Sequence, residues 1–163
     1  MDYTTEELNS LAVDIQPFID NLYIGNLCGA LNETLLKKHD IKCVIHLFED
    51  SNLFEDDPDK HSYVFQIEDD PFQELSDYFQ MFDLILDISQ IDHVLIHCQH
   101  GSSRTGAFTL YYLIKHKKMS YQEALEYAKN IRAGIKPNPG FVAQLKSLSS
   151  RLGREFKQPL EHS

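Results

Sequence analysis

Cys98 and Arg104 stand six residues apart in a segment that is rich in glycine and hydroxyl side chains. The segment reads His97-Cys98-Gln99-His100-Gly101-Ser102-Ser103-Arg104-Thr105-Gly106. A cysteine thiolate is a strong nucleophile, and a planar guanidinium can hold two oxygens of a phosphoryl group at once. These residue types at this spacing indicate nucleophilic attack on a phosphate ester, with the arginine binding the phosphoryl oxygens.

The flanking sequence indicates how this segment is held. Residues 93–97 contain a continuous apolar run that is typical of a buried strand, and residues 104–116 are mostly apolar, which predicts a buried helix. A loop that leads into a helix N-terminus presents backbone N–H groups and the positive end of the helix dipole. Such a nest binds a tetrahedral dianion, and the same surroundings favour the thiolate form of a cysteine.

The remaining residues of the segment fit a phosphate-binding loop. Gly101 allows a tight backbone turn, and Thr105 can donate its hydroxyl proton to the thiolate of Cys98. We expect His97 to orient the loop backbone rather than to take a proton in the reaction. The loop is completed by Gln99, His100, Ser102 and Ser103. The alternative, an inert buried cysteine beside a surface arginine, leaves the glycine, the threonine and the strand–loop–helix context unexplained.

Strands and helices alternate along the chain. Strands are predicted at residues 21–24, 42–47, 63–67 and 93–97. Helices are predicted at residues 33–39 after the cap Asn32, 72–89, 104–116, 121–131 after a Ser120–Glu123 capping box and ending at Gly134, and 139–152 after the cap Asn138. The alternation predicts a single α/β domain with a central, mostly parallel twisted sheet of about four to five strands flanked by helices.

Composition excludes several classes of protein. The 163 residues suit one domain, 42% of them are hydrophobic, and the formal net charge is −10. An acidic chain repels nucleic acids and anionic membranes, so we expect no nucleic-acid partner. No apolar run is long enough to span a bilayer, so we expect no membrane anchor. Three cysteines fit a reducing compartment, which predicts a cytoplasmic or nuclear location. The acidic residues 49–59 are interpreted as a solvated loop or as a docking patch for a basic partner.

Other histidines and cysteines do not indicate a metal or a cofactor. Alternation along a strand places His93 and His97 on one face and turns Cys98 away from it, so no metal site and no cofactor are expected. Cys43 lies in a predicted core strand and is interpreted as a packing residue. A redox disulfide between Cys43 and Cys98 would need Cα atoms within about 7 Å of each other.

The segment 97–106 resembles the His-Cys-x5-Arg-Ser/Thr signature of the protein tyrosine phosphatase superfamily. The rest of the chain resembles the small dual-specificity phosphatases at residues 22–26, 41–47 and 131–141. The resemblance covers residues 18–152, which would be the catalytic domain, with an N-terminal segment at 1–17 and a tail at 153–163. It implies a protein tyrosine phosphatase-like fold.

The resemblance also implies a general acid on the loop after the third predicted strand. Asp69 fits the family pattern, because Pro71, Leu75 and Phe79 follow it at the family's offsets. Asp70 is the second candidate, and both carboxylates could instead belong to a helix entry. Asn138 is expected to brace the phosphate loop by family resemblance, although helix capping alone also explains it.

The activity implied is hydrolysis of phosphotyrosine and phosphoserine/phosphothreonine in a protein substrate through a phosphocysteine. Two other interpretations stay open. His100, Thr105 and their neighbours also resemble the loop of RNA 5′-triphosphatases, so an RNA 5′-triphosphatase or phosphoinositide phosphatase of the same superfamily is the alternative. A catalytically silent phospho-binding module is the third reading, although such modules usually lose the cysteine or the arginine and both are present here.

Overall fold

A computed structural model describes residues 14–49 and 53–154 and shows a five-stranded mixed sheet between helices. The strands are β1 (Ile15–Ile19), β2 (Leu22–Gly25), β3 (Ile41–Leu47), β4 (Ser62–Phe65) and β5 (His93–His97). Their order across the sheet is β1-β2-β5-β3-β4, and only the β1–β2 pair is antiparallel. The predicted α/β fold with a mostly parallel sheet is confirmed.

β5 lies at the centre of the sheet and delivers the chemical segment. It pairs with β2 on one side and with β3 on the other, and Leu95 and Ile96 are fully buried. Buried parallel strands read as continuous apolar runs, which is why β3 and β5 are visible in the sequence. Because parallel strands all point the same way, the segments that follow β2, β3, β4 and β5 meet at one edge of the sheet.

β1 was not predicted from the sequence. Pro17 lies in its middle and removes a backbone donor, which argues against a strand in a sheet interior. The strand is tolerated because it forms the outer edge of the sheet, where proline is allowed, and its pairing with β2 shifts register between Pro17 and Ile19.

The helices begin at most of the predicted caps. They are α1 (Leu27–Ala30), α2 (Glu33–Lys38), α3 (Ser76–Ser89), α4 (Arg104–His116), α5 (Tyr121–Ile131) and α6 (Pro139–Arg151), with a 3₁₀ turn at Pro58–Lys60. The side chains of Asn32, Ser120 and Asn138 each accept a backbone N–H bond at the start of α2, α5 and α6. The Ser120–Glu123 capping box is also present.

The start of α3 and the residue that terminates α5 differ from the predictions. α3 starts at Ser76 rather than at residue 72. Residues 69–72 form bends and a turn instead, and the N–H groups of Phe72 and Leu75 bond to the side chains of Asp70 and Gln144. Gly134 does not terminate α5. That helix ends at Ile131, as predicted, but it ends because Arg132 adopts an extended backbone.

α4 forms the middle of the core on one face of the sheet. Ten of its thirteen residues are buried, and it packs against α5 and α6. Its N-terminus therefore has a fixed position relative to β5. Among the residues described, no helix is long and apolar enough to cross a bilayer.

Candidate active site

Cys98 lies directly after β5, at the floor of an open cavity of about 600 Å³. Its side chain is almost fully buried, and the hydroxyl of Thr105 donates to its sulfur at 3.1 Å. Arg104, Asp69 and Asn138 also line this cavity. The structure therefore brings together the predicted nucleophile Cys98, the predicted phosphate-binding Arg104 and the predicted acid Asp69 with Asn138. The sequence places these residues in three separate segments, around residues 69, 98–104 and 138.

Every carbonyl group from residue 98 to residue 102 bonds to the surrounding scaffold. The carbonyl of Cys98 accepts from a ring nitrogen of His97, and that of Gln99 accepts from the N–H of Leu27. The Arg132 guanidinium donates to the carbonyls of His100 and Gly101. The carbonyl of Ser102 accepts from the N–H groups of Gly106 and Lys136. In a trans peptide the N–H points opposite to the C=O. The next residues' N–H groups are thus turned toward the other side, which makes the loop a cup of donors suited to an anion.

Gly101 is required by this loop for two reasons. Its φ is +72°, a conformation that residues with a Cβ rarely adopt. A Cβ at this position would also lie 2.6 Å from Nη2 of Arg132 and 2.8 Å from the carbonyl oxygen of Gly25. The sequence prediction of a tight glycine turn is confirmed.

Arg132 was missed by the sequence predictions. Its Nε and Nη2 donate to the carbonyls of Gly101 and His100 at 3.1 and 3.0 Å, and its Nη1 donates to Gln16 at 2.9 Å and pairs with the carboxylate of Asp14. It binds the outside of the phosphate loop and fastens it to the start of β1. No spacing in the sequence indicates this role, because its partners lie between 31 residues (Gly101) and 118 residues (Asp14, 132 − 14) away.

Arg104 is 5% exposed and is held by three neighbours. Its Nη1 donates to the carboxylate of Glu49 and to the carbonyl of Ile67 at 3.2 Å, and its Cζ lies 5.3 Å from the ring centre of Phe48. Glu49 was interpreted as part of a solvated acidic loop. That interpretation is wrong for this residue, since its carboxylate forms an ion pair with a buried guanidinium.

The two candidate acids differ in their surroundings. Oδ1 of Asp69 accepts bonds from the Ser103 hydroxyl at 2.5 Å and from Nδ2 of Asn138 at 2.9 Å, and Asp69 lines the cavity. The carboxylate of Asp70 accepts the N–H of Phe72 at 2.8 Å and closes a local turn. The geometry therefore favours Asp69 over Asp70 as the acid that reaches a bound ester.

α6 holds the loop that carries Asp69. A Cβ at Gly140 would overlap the carbonyl group of Pro71, so the two backbones are in direct contact. Gln144 accepts the N–H of Leu75 at 2.9 Å and donates to the carbonyl of Gln73 at 2.8 Å. These contacts hold the part of the loop that follows Asp69 against the first turns of α6.

His97 is completely buried beneath the loop and contacts a second histidine. Its Nε2 lies 2.6 Å from Nδ1 of His46, and its Nδ1 lies 3.4 Å from the carbonyl oxygen of Cys98. Burial lowers the pKa of His46 to about 4. Burial, together with His46 and Arg104, lowers the pKa of His97 well below its ordinary value. Both imidazoles are therefore neutral at pH 7, and the contact agrees with the prediction that His97 orients the loop backbone.

Cys43 is too far from Cys98 for a disulfide. In the sheet register it lies opposite Val94, four residues before Cys98, which corresponds to about 13 Å along the strand. Burial raises the pKa of the Cys43 thiol to about 11, which suits a packing residue. Within residues 14–49 and 53–154, no group of three or more histidine, cysteine, aspartate or glutamate side chains is arranged to hold a metal ion.

Residues 22–151 match the family model of the dual specificity phosphatase catalytic domain. The chain belongs to the dual specificity phosphatase family. It is 30% identical over 136 residues to a probable dual specificity protein phosphatase of Dictyostelium discoideum, a match that covers 83% of this chain and 63% of that relative. It is 36% identical over 129 residues to dual specificity protein phosphatase 18 of Mus musculus, which covers 77% and 67% of the two chains.

The same fold is found in a solved human structure. The crystal structure of human tyrosine phosphatase-like serine/threonine/tyrosine-interacting protein superposes with a TM-score of 0.76 at 26% sequence identity. The match covers 86% of this chain and 98% of that one. The predicted resemblance to the protein tyrosine phosphatase superfamily is therefore confirmed. The chain spans somewhat less than two thirds of the length of the relative from Dictyostelium discoideum.

Proposed function

We propose that this chain is a cysteine-dependent protein phosphatase that hydrolyses phosphotyrosine and phosphoserine/phosphothreonine esters through a phosphocysteine. The observation that carries the proposal is the Cys98 sulfur next to the amide cup, with the Thr105 hydroxyl 3.1 Å away and with Arg104 and Asp69 lining the same cavity. Membership of the dual specificity phosphatase family supports phosphorylated proteins as the substrate class.

In the first step the thiolate of Cys98 attacks phosphorus and the P–O ester bond breaks. The loop N–H groups and the Arg104 guanidinium bind the three non-bridging oxygens, where charge is spread in the transition state. Asp69, in its protonated form, donates its proton to the departing alcohol oxygen. Because Ser103 and Asn138 both bond to Oδ1 of Asp69, we assign the transferable proton to Oδ2.

In the second step a water molecule attacks the phosphorus of the phosphocysteine and the P–S bond breaks. The carboxylate of Asp69 accepts the proton of that water, which returns Asp69 to its acid form and releases inorganic phosphate. The departing sulfur carries negative charge, and the Thr105 hydroxyl stabilises it by a hydrogen bond. Each group is thus returned to its starting state.

The upper wall of the cavity supports broad substrate choice. It is formed by residues 136–139 and Val142, which are aliphatic or polar and present no aromatic ring that would deepen the cavity. Without such a ring at this wall, the short side chains of phosphoserine and phosphothreonine should reach Cys98 as well as the longer phosphotyrosine. Lys136 adds a positive charge at the rim that can bind a neighbouring anionic group.

The test is a side-by-side assay of phosphopeptides, a triphosphorylated oligonucleotide and phosphoinositides, with p-nitrophenyl phosphate as a reference. We expect a burst of p-nitrophenol followed by steady turnover, and faster hydrolysis of the phosphopeptides than of the other physiological substrates. Cys98→Ser should abolish the burst and retain phosphate binding, and Cys43→Ala, a second buried cysteine, should preserve both. Faster turnover of the oligonucleotide or the lipids would favour the RNA 5′-triphosphatase or phosphoinositide phosphatase alternative over this proposal. The absence of a burst would contradict both of these enzymatic hypotheses.

A further inference from the structure

A chain of polar groups at hydrogen-bonding distance runs from the phosphate loop to the outer strand β4 of the sheet. The Cys98 carbonyl oxygen lies 3.4 Å from Nδ1 of His97, and Nε2 of that ring lies 2.6 Å from Nδ1 of His46. Nε2 of His46 lies 2.9 Å from the Ser62 hydroxyl, which lies 3.1 Å from the carbonyl oxygen of Glu55. Four links therefore connect two carbonyl groups through two imidazoles and one hydroxyl.

The two rings sit in a pocket that excludes water. His46 and His97 lie on adjacent strands and face each other in the register of β3 and β5. The ring of Phe54 stacks on His46 at 3.8 Å between centres, and Phe48 and Phe54 lie 5.5 and 5.1 Å from His97. The inner end of the chain is buried, whereas the Ser62–Glu55 link is at the solvent-exposed end.

The number of protons in this chain is one fewer than the number of links. Both end groups are carbonyls and only accept, while Ser62, His46 and His97 each contribute one proton when the rings are neutral. Three protons cannot fill four links, so one link lacks a hydrogen. The missing hydrogen belongs at the exposed end, because water can satisfy the Glu55 carbonyl but cannot reach the carbonyl of Cys98.

We propose that His46 is a positioning residue that acts on the phosphate loop through His97. Nδ1–H of His46 donates to Nε2 of His97, so the single proton of that ring is kept on Nδ1 and donates to the Cys98 carbonyl. The Ser62 hydroxyl donates to Nε2 of His46, so that the three protons all point from Ser62 toward the Cys98 carbonyl. Holding this carbonyl outward directs the N–H of Gln99 into the amide cup, where a phosphoryl oxygen would bind.

The direct test is NMR of the full chain with ¹⁵N-labelled histidine at pH 7, with resonances assigned by substituting each histidine in turn. We expect His97 and His46 both to carry their proton on Nδ1. A proton on Nε2 of His97 would overturn the inference. The inference rests on the proposed function for its consequence in catalysis, but the tautomer is measured without any turnover.

A pair of variants tests the consequence. His46→Gln keeps an N–H donor, whereas His46→Met fills similar space without one. We expect His46→Met to lower both kcat on p-nitrophenyl phosphate and the rate of Cys98 alkylation by iodoacetamide about fivefold to tenfold, with little change in KM. His46→Gln should restore most of both rates.

The matched control is His93→Gln, at the opposite end of β5, where the ring bonds to the carbonyl of His39 at 2.8 Å. It should leave both rates unchanged. Equal losses in His46→Gln and His46→Met, or no loss in His46→Met, would contradict the role. A wild-type chain with the expected tautomer but no turnover would refute the proposed function and leave the tautomer assignment standing.

Discussion

Gly140, in the first turn of α6, is in backbone contact with Pro71 in the loop that carries Asp69. A Cβ at residue 140 would overlap the Pro71 carbonyl group, so the absence of a side chain is what allows the loop to approach. Asn138, two residues earlier, bonds to the carboxylate of Asp69 at 2.9 Å. The start of one helix thus sets how far the acid reaches over the cavity.

We predict that Gly140→Ala displaces the acid loop and impairs catalysis more than binding. A misplacement of about 1 Å can cost about a hundredfold in rate, so kcat on an alkyl phosphate should fall by about that factor while KM changes little. Gly134→Ala is the control, since a Cβ at residue 134 meets no atom within 4 Å. Full activity in Gly140→Ala would show that the loop does not depend on this contact.

Asp69→Asn should slow substrates according to how much their leaving group needs a proton. We expect kcat on an alkyl phosphate to fall by about 10²–10⁴-fold, with a much smaller loss on p-nitrophenyl phosphate, whose leaving group departs readily as an anion. Asp70→Asn should behave like the wild type apart from a small loss of stability, because the Asp70 carboxylate accepts the local N–H of Phe72 and closes a turn. A larger loss in Asp70→Asn would exchange the two assignments.

Thr105→Val should slow the breakdown of the phosphocysteine. The variant removes a hydrogen bond to a sulfur that becomes charged as the P–S bond breaks, and such bonds contribute about 1.5–3 kcal/mol, or about tenfold to a hundredfold in rate. Rapid-quench measurement should show that the covalent intermediate decays about tenfold to a hundredfold more slowly in Thr105→Val than in the wild type, and at nearly the wild-type rate in Thr105→Ser. Unchanged kinetics in the valine variant would remove Thr105 from the mechanism.

Glu49→Gln should lower the stability of the protein in the absence of phosphate. The variant leaves the buried guanidinium of Arg104 without its anionic partner, which we expect to lower the free energy of unfolding by about 1–3 kcal/mol. Adding inorganic phosphate should restore part of this loss, because phosphate supplies the missing negative charge. Thermal unfolding with and without phosphate measures both effects, and Asp59→Asn, an exposed acid of the same segment, is the control.

The buried histidine pair should make stability depend on pH. The pKa of His46 falls from 6.5 to about 4 on folding because of burial, so between these values the unfolded chain binds more protons than the folded chain. The contribution is complete above pH 6.5 and is lost as the pH falls toward 4, by at most about 1.4 kcal/mol per pH unit for each histidine. Urea unfolding at several pH values should show this slope, and His46→Met should reduce it.

The sequence by itself determined the chemistry that depends on neighbours in the chain. Eight consecutive residues contain Cys98, Gly101, Arg104 and Thr105. The strand–loop–helix turn therefore brings these side chains together without help from the rest of the domain. The caps at Asn32, Ser120 and Asn138 are equally local, since each binds an N–H three residues later. The buried strands β3 and β5 follow from apolar runs that a sheet interior requires.

Only the tertiary structure decided which distant groups support that chemistry. Asp69 meets Asn138 across 69 residues, His46 meets His97 across 51, and Arg104 meets Glu49 across 55. A carboxylate in a loop looks the same in sequence whether it is solvated or paired with a buried cation, because the partner is chosen by how the strands are ordered in the sheet. β1 was missed for the same reason. A proline such as Pro17 is tolerated in a strand at the edge of a sheet, and the sequence does not show which strand lies at the edge.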